Sequence, residues 1–141
     1  MDINLFAGGG GLAAGLCAVG FRPLEMYEKD GDSCDTLRRN IESQHPTLSG
    51  WVAEGDLTSV EWLDCPGPVR LLAGGIPCQP FSRAGNHRGQ ADARNLFPEF
   101  ITAVRCLKPA AVLVENVGGL SDMPKGTPML AGMKHMNRAG A

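Results

Sequence analysis

The sequence predicts an α/β domain built on a mostly parallel sheet, and three features carry that expectation. The chain opens with a short strand, Asp2 to Phe6, that runs into the glycine turn Ala7-Gly8-Gly9-Gly10-Gly11 and then a helical stretch, Leu12 to Val19. Short apolar runs then alternate with stretches of helical periodicity, the pattern of parallel strands joined by crossover helices. The fourth apolar run, Val69 to Ala73, leads into Gly74-Gly75-Ile76-Pro77-Cys78-Gln79-Pro80-Phe81-Ser82. That stretch sets a thiol on a stiff loop at the carboxyl end of a strand, where open α/β sheets gather their ligands.

At 141 residues the chain makes one domain at most, with room for a real core but short for a complete α/β enzyme. A hydrophobic content of 43% with 20% charged residues describes a soluble globular chain. No apolar run approaches a membrane span and the N-terminus lacks the zones of a signal peptide, so a cytoplasmic location and no membrane partner are expected. The cysteines Cys17, Cys34, Cys65, Cys78 and Cys106 are odd in number and widely spaced, which predicts neither a disulfide framework nor a metal site. A net charge of −2 argues against nucleic-acid binding by the whole surface and leaves a local basic patch open.

Strand, glycine turn and helix is the layout of a nucleotide-type cofactor site, and Gly8-x-Gly10-x-x-Ala13 fits a dinucleotide fingerprint. Four consecutive glycines fit almost any such pattern, so a plain tight turn beneath a helix stays open. Gly20 ends the first helix. Phe21 to Tyr27 reads as the second strand, ending at Glu28-Lys29-Asp30. Glu28 follows Gly8 by about 20 residues, the separation at which a carboxylate takes a ribose hydroxyl pair in such folds. Lys29 is either solvated surface or a second ligand contact. Asp30 or Asp32 caps the next helix, which runs to about Gln44 before Pro46 stops it.

Trp51 to Glu54 is a short third strand. Asp56, in Gly55-Asp56-Leu57, either caps a short turn through Leu63 or accepts a hydrogen bond from an adenine amino group, and the sequence leaves both open. Cys65-Pro66-Gly67-Pro68 is a loop before the fourth strand. Gly74 and Gly75 are expected to let the backbone leave that strand in torsions other residues avoid. Pro77 and Pro80 keep Cys78 out of a helix. A lone cysteine is commonly a small buried hydrophobe, but this placement suits a nucleophile.

Arg83 to Asn95 has no apolar periodicity and carries Arg83, His87, Arg88 and Arg94. It reads as a long loop whose arginines either neutralise phosphates or face solvent. Phe97, Phe100, Ile101, Val104 and Leu107 recur at three- and four-residue spacing, which predicts a helix over Phe97 to Leu107 ended by Pro109. Ala110 to Val114 is apolar throughout and predicts a buried fifth strand. It ends at Glu115-Asn116-Val117, on the same sheet edge as Cys78. Gly118 to Thr127 reads as loop and Met129 to Asn137 as a last helix, with no internal repeat or linker.

Taken together, these stretches resemble the DNA cytosine-5 methyltransferase family. Asn4-Leu5-Phe6-Ala7-Gly8-x-Gly10-Gly11 is similar to the motif that cradles S-adenosylmethionine. Glu28 matches the ribose-binding acid, Lys29 the position stacking on adenine, and Asp56 the residue that reads the adenine amino group. Gly75-x-Pro77-Cys78-Gln79-Pro80-Phe81-Ser82 is similar to the nucleophile motif, Arg94-Asn95-Leu96-Phe97 to the cofactor-contacting segment after it, and Glu115-Asn116-Val117 to the catalytic glutamate motif. The resemblance spans nearly the whole chain and implies a Rossmann-like S-adenosylmethionine-dependent methyltransferase fold. Asn4 departs from the aspartate usual in the family, a change a buried turn is expected to tolerate.

The resemblance implies catalytic roles for Cys78, Glu115 and Asn116. The Cys78 thiolate, favoured by nearby positive charge, attacks C6 of cytosine and makes C5 nucleophilic. Glu115 holds the N3 and amino edge of the base, and Asn116 orients the loop backbone. The implied cofactor set is Phe6, Ala7, Gly8, Gly10, Gly11, Glu28, Lys29, Asp56, Leu57, Pro77 and Leu96. Gln79, Ser82, Arg83, Arg88 and Arg94 are expected to face DNA carrying a flipped-out cytosine. The family continues with a Gln-x-Arg-x-Arg motif, a target-recognition domain and a C-terminal helix, so residues 1–141 read as the N-terminal catalytic part, with the sheet truncated after the fifth strand. The expectation is a fragment or one half of a split enzyme, completed by a second chain, with weak cofactor binding and little methyl transfer on its own. An exposed fifth-strand edge would follow from that truncation. Alternatives are an RNA cytosine-5 methyltransferase sharing the motifs, and a non-catalytic S-adenosylmethionine-binding remnant or regulatory subunit. An NAD- or FAD-dependent oxidoreductase leaves Pro77-Cys78-Gln79 and Glu115-Asn116-Val117 without a role.

Overall fold

β1 (Asp2–Leu5) is the middle strand of a five-stranded sheet ordered β3-β2-β1-β4-β5. The computed structural model describes residues 1–44, 52–62, 67–77 and 96–116. β2 (Pro23–Glu28) and β3 (Val52–Glu54) lie to one side of β1, and β4 (Leu71–Gly75) and β5 (Ala111–Glu115) to the other. All four strand pairs are parallel. Helices α1 (Gly11–Ala18), α2 (Gly31–Gln44) and α3 (Phe97–Leu107) follow β1, β2 and β4. The strand order reverses between β1 and β4, the crevice where sheets of this kind bind ligands.

Side chains alternate across the strands, so the sheet presents two apolar faces. Ile3, Leu5 and Leu72 pack on one face with Phe97, Phe100 and Ala103 of α3. The other face holds Met26 against Ala13 of α1 and Leu37 and Ile41 of α2, with Leu71 and Ala73 against Leu16 of α1 beside them. The expected α3 residues Phe97, Phe100, Ile101, Val104 and Leu107 all pack on this face, and the fully buried Ala103 joins them without having been anticipated. At the opposite end of β1, the buried Asp2 accepts from Arg70 Nε at 3.1 Å, Arg70 Nη2 at 2.7 Å and the Arg22 N–H at 2.9 Å. Burial pushes the Asp2 carboxyl up, but these bonds and the Arg70 charge outweigh it and hold the group below its ordinary value.

Three expectations are corrected. Gly74 and Gly75 do not leave the strand: they are its last two residues, and the positive-φ glycines among the described residues are Gly8, Gly10 and Gly20. What excludes a side chain at Gly74 is space. A Cβ there would lie 2.9 Å from Cε2 of the fully buried Phe100 and 3.1 Å from the Leu5 carbonyl oxygen. Gly74→Ala is therefore expected to cost roughly 1–3 kcal/mol, as overpacking does. Urea denaturation measures it, and Gly74→Ala with Phe100→Leu should lose less than the sum of the single changes.

β5 is not buried on both faces either. Among the described residues it pairs only with β4, and its burial alternates, with Leu113 41% exposed while Val112 and Val114 pack toward the α3 face. Among the described residues it is an edge strand, although its run is apolar throughout. Asn4, finally, sits within β1 rather than in a turn. It is wholly buried, and neither Oδ1 nor Nδ2 has a hydrogen-bond partner among the described residues. An unpartnered buried amide costs roughly 1–3 kcal/mol. An unpaired carboxylate in the same place would cost far more, so the neutral residue suits this strand.

Candidate functional site

The site is assembled at the carboxyl ends of the strands. Phe6 leaves β1 in the left-handed region at φ 54, a conformation that costs a non-glycine residue roughly 1–2 kcal/mol. The turn closes through the Ala7 N–H to the Tyr27 carbonyl and the Gly10 N–H to the Ala7 carbonyl, both at 3.0 Å. Gly10 has φ 95, and a Cβ on it would lie 2.7 Å from Leu37 Cδ1, so both torsion and space demand glycine. Asn40 of α2 donates to the Gly9 carbonyl at 2.7 Å and ties the turn to the neighbouring helix.

Glu28 ends β2 with its carboxylate turned back onto backbone. Oε2 accepts the Gly8 N–H at 2.7 Å, and Oε1 accepts the N–H groups of Lys29 and Asp30 at 2.8 and 2.9 Å. Three main-chain donors thus fix its orientation, and Oε2 keeps a further acceptor position. The glycine turn and the acid are therefore one hydrogen-bonded unit. Of the two candidate caps for α2, the structure selects Asp30, whose Oδ1 accepts the Ser33 N–H at 2.8 Å.

Asp56 performs the capping role that the sequence left open. Its Oδ1 accepts the N–H of Thr58 at 3.0 Å and the Thr58 hydroxyl at 2.9 Å, starting a short 3-10 turn over Leu57–Ser59. Its Oδ2 accepts from Lys29 Nζ at 2.5 Å. Lys29 above all, then Thr58, pulls the Asp56 carboxyl down to about 2.

These groups border an open cleft of about 510 Å³. Of the sequence-predicted cofactor residues, Phe6, Glu28, Lys29, Asp56, Leu57, Pro77 and Leu96 line it. Ala7, Gly8, Gly10 and Gly11 do not, although Gly8 reaches it through the Glu28 carboxylate. Tyr27, Asp30, Gly31 and Gly55 also line the cleft and were not anticipated. Their signal was positional, since each sits within three residues of Glu28 or Asp56.

A second cluster lies at the ends of β4 and β5. Gly75 and Glu115 are register partners, and a Cβ on Gly75 would lie 3.2 Å from Glu115 Oε2. The carboxylate therefore rests in space that the missing side chain leaves open. Asn116 Nδ2 donates to the Ile76 carbonyl at 3.0 Å, joining the two strand ends just before Pro77. Cys78, Gln79, Ser82, Arg83, Arg88 and Arg94 lie outside the described residues. Among those described, no helix is long and apolar enough to cross a membrane.

The chain is similar to known methyltransferases in sequence and in fold. The type II methyltransferase M.PspPI of Psychrobacter is 42% identical over 125 residues, covering 88% of this chain and 29% of the relative. The type II methyltransferase M.Eco47II of Escherichia coli is 40% identical over 125 residues, 88% of this chain and 28% of the relative. The chain thus spans less than a third of the length of these two relatives. A crystal structure described as a candidate DNA modification methyltransferase from an E. coli prophage superposes with a TM-score of 0.71 at 26% identity, covering 96% of this chain and 36% of that one. The parallel sheet with its flanking helices is accordingly the Rossmann-like methyltransferase fold. The family described as C-5 cytosine-specific DNA methylase matches residues 1–140, and the chain belongs to that family.

Proposed function

We propose that this chain carries the cofactor cleft and the catalytic strand ends of an enzyme that transfers a methyl group from S-adenosylmethionine to C5 of cytosine in DNA. The observation that carries the reading is the Gly75–Glu115 register pair, which sets a carboxylate at the strand end from which the chain runs through Pro77 to Cys78. Residues 1–141 span less than a third of the two type II relatives, so whole-enzyme activity is assigned to these residues together with the family's remaining segments.

The cleft fits the cofactor. The fixed Glu28 carboxylate has an acceptor position that would take a ribose hydroxyl, Asp56 and Leu57 would face an adenine edge, and Phe6, Pro77 and Leu96 would supply apolar walls. Bound there, S-adenosylmethionine would supply an electrophilic methyl group, its sulfur keeping the bond pair and leaving as S-adenosylhomocysteine. The residues do the rest. Cys78 Sγ, as thiolate, bonds to C6 of a cytosine flipped out of the duplex, and the ring electrons move toward C5. Glu115 holds the base by N3 and its amino group, donating to N3 as charge develops there. Once C5 carries the methyl group, a base removes the C5 proton, the Sγ–C6 bond breaks with the thiolate leaving, and N3 returns its proton to Glu115 as the aromatic ring is restored. Asn116 positions the β4 loop through Ile76. Gln79, Ser82, Arg83, Arg88 and Arg94 are assigned to the DNA side.

Cofactor binding tests the reading without requiring turnover. Glu28→Ala is expected to weaken S-adenosylhomocysteine binding by roughly 10- to 100-fold, the worth of one or two hydrogen bonds to a charged acceptor. Isothermal titration measures this, with circular dichroism to show that the variant is folded. Unchanged affinity would remove the cleft from the cofactor.

A further inference from the structure

The glycine turn is gripped from two sides. On one side the Ala7 N–H donates to the Tyr27 carbonyl and the Gly8 N–H to Glu28 Oε2, which tie it to β2. On the other side is α2. Thr36 and Asn40, four residues apart on one helix face, both meet Gly9. A Cβ on Gly9 would lie 3.3 Å from Thr36 Cγ2, and Asn40 Nδ2 donates to the Gly9 carbonyl at 2.7 Å. Between these holds the backbone takes left-handed torsions, with φ 54 at Phe6, 53 at Gly8 and 95 at Gly10. Consecutive glycines have little preference of their own for such a shape, so the tethers must impose it.

We propose that Asn40 is a positioning residue for the cofactor cleft: by holding the Gly9 carbonyl it keeps the Gly8 N–H on Glu28 and so preorganises that carboxylate. The inference rests on the cofactor reading above and places a determinant of affinity on α2, outside the residues that line the cleft. The sign follows from ordering. A turn released at Gly9 gains conformations in the unbound state, and a ligand that needs Glu28 in one orientation must remove them again on binding. Losing Asn40 therefore weakens binding. The bond is exposed to solvent, so the effect is that of one ordinary hydrogen bond.

Isothermal titration of the full chain with S-adenosylhomocysteine tests this, together with amide hydrogen exchange. Asn40→Ala removes the donor from an exposed helix position that alanine favours, so the fold should hold. It is expected to weaken binding by roughly three- to ten-fold, with the Gly8 amide exchanging faster and the β1 and β2 amides keeping their protection. Asn40→Asp keeps the size but carries only acceptors, and should bind no better than Asn40→Ala. A purely stabilising Asn40 would not move the affinity of protein that is already folded. Made in Glu28→Ala, where the positioned carboxylate is gone, Asn40→Ala should cost less than about two-fold. Wild-type affinity in folded Asn40→Ala, or the same loss with and without the Glu28 carboxylate, overturns the positioning role and leaves the cofactor reading intact. No binding by the wild-type chain overturns both.

Discussion

Cys78→Ala is expected to abolish methyl transfer, by roughly 10⁴-fold or more, the scale seen when a covalent nucleophile is removed. The reason lies in the substrate. Cytosine C5 is a poor nucleophile until a group adds at C6, and an alanine methyl offers neither a lone pair nor a proton site. The measurement is incorporation of labelled methyl into DNA by the chain together with the family's remaining segments. The variant should still bind S-adenosylhomocysteine within about two-fold of wild type, because the substitution leaves unchanged the main-chain donors that fix Glu28, in the turns that follow β1 and β2. Methyl transfer persisting in the variant would show that the thiol is not the nucleophile.

Glu115→Gln is expected to lower kcat by roughly 10²–10⁴, the usual worth of a positioned proton donor. Glutamine preserves the shape that fits beside Gly75, so the β4–β5 strand ends should keep their geometry. It can still hydrogen-bond the edge of the base, but it cannot give a proton to N3. The loss should therefore fall on kcat with KM for DNA little changed, a split that single-turnover kinetics resolve. A rise in KM at constant kcat would make Glu115 a binding residue only.

How much of this was legible in the sequence depended on what kind of constraint each residue obeys. The limits of α3 were readable because Phe97, Phe100 and Leu107 repeat at helical spacing, and the structure returns Phe97–Leu107. Glu28 was readable from its distance to the glycine turn, and the hydrogen bond to the Gly8 N–H accounts for that spacing. Gly74 was misread because a glycine selected for space looks the same in sequence as one selected for torsion. Its reason, Phe100, lies 26 residues later and on another element. Lys29 and Asp56 were each recognisable as cleft residues, but their ion pair joins β2 to the end of β3 and leaves no local signature. For β5 the apolar run alone suggested burial, while the family resemblance suggested an exposed edge, and the alternating burial of the strand is nearer the second expectation.

The most direct test of the central claim is covalent trapping on a mixed-sequence DNA pool containing 5-fluorocytosine, in the presence of S-adenosylmethionine. Fluorine at C5 cannot leave as a proton does, so the thioether to C6 persists after methyl transfer and survives denaturation. The wild-type chain, alone and with the remaining segments supplied, is compared with Cys78→Ala. The expected result is a denaturation-resistant protein–DNA adduct in the completed wild type, weak or absent in the chain alone, and lost in Cys78→Ala. An adduct that survives the cysteine substitution, or none from the completed and folded wild type, would contradict the assignment of Cys78 as the nucleophile of a cytosine C5 methyltransferase.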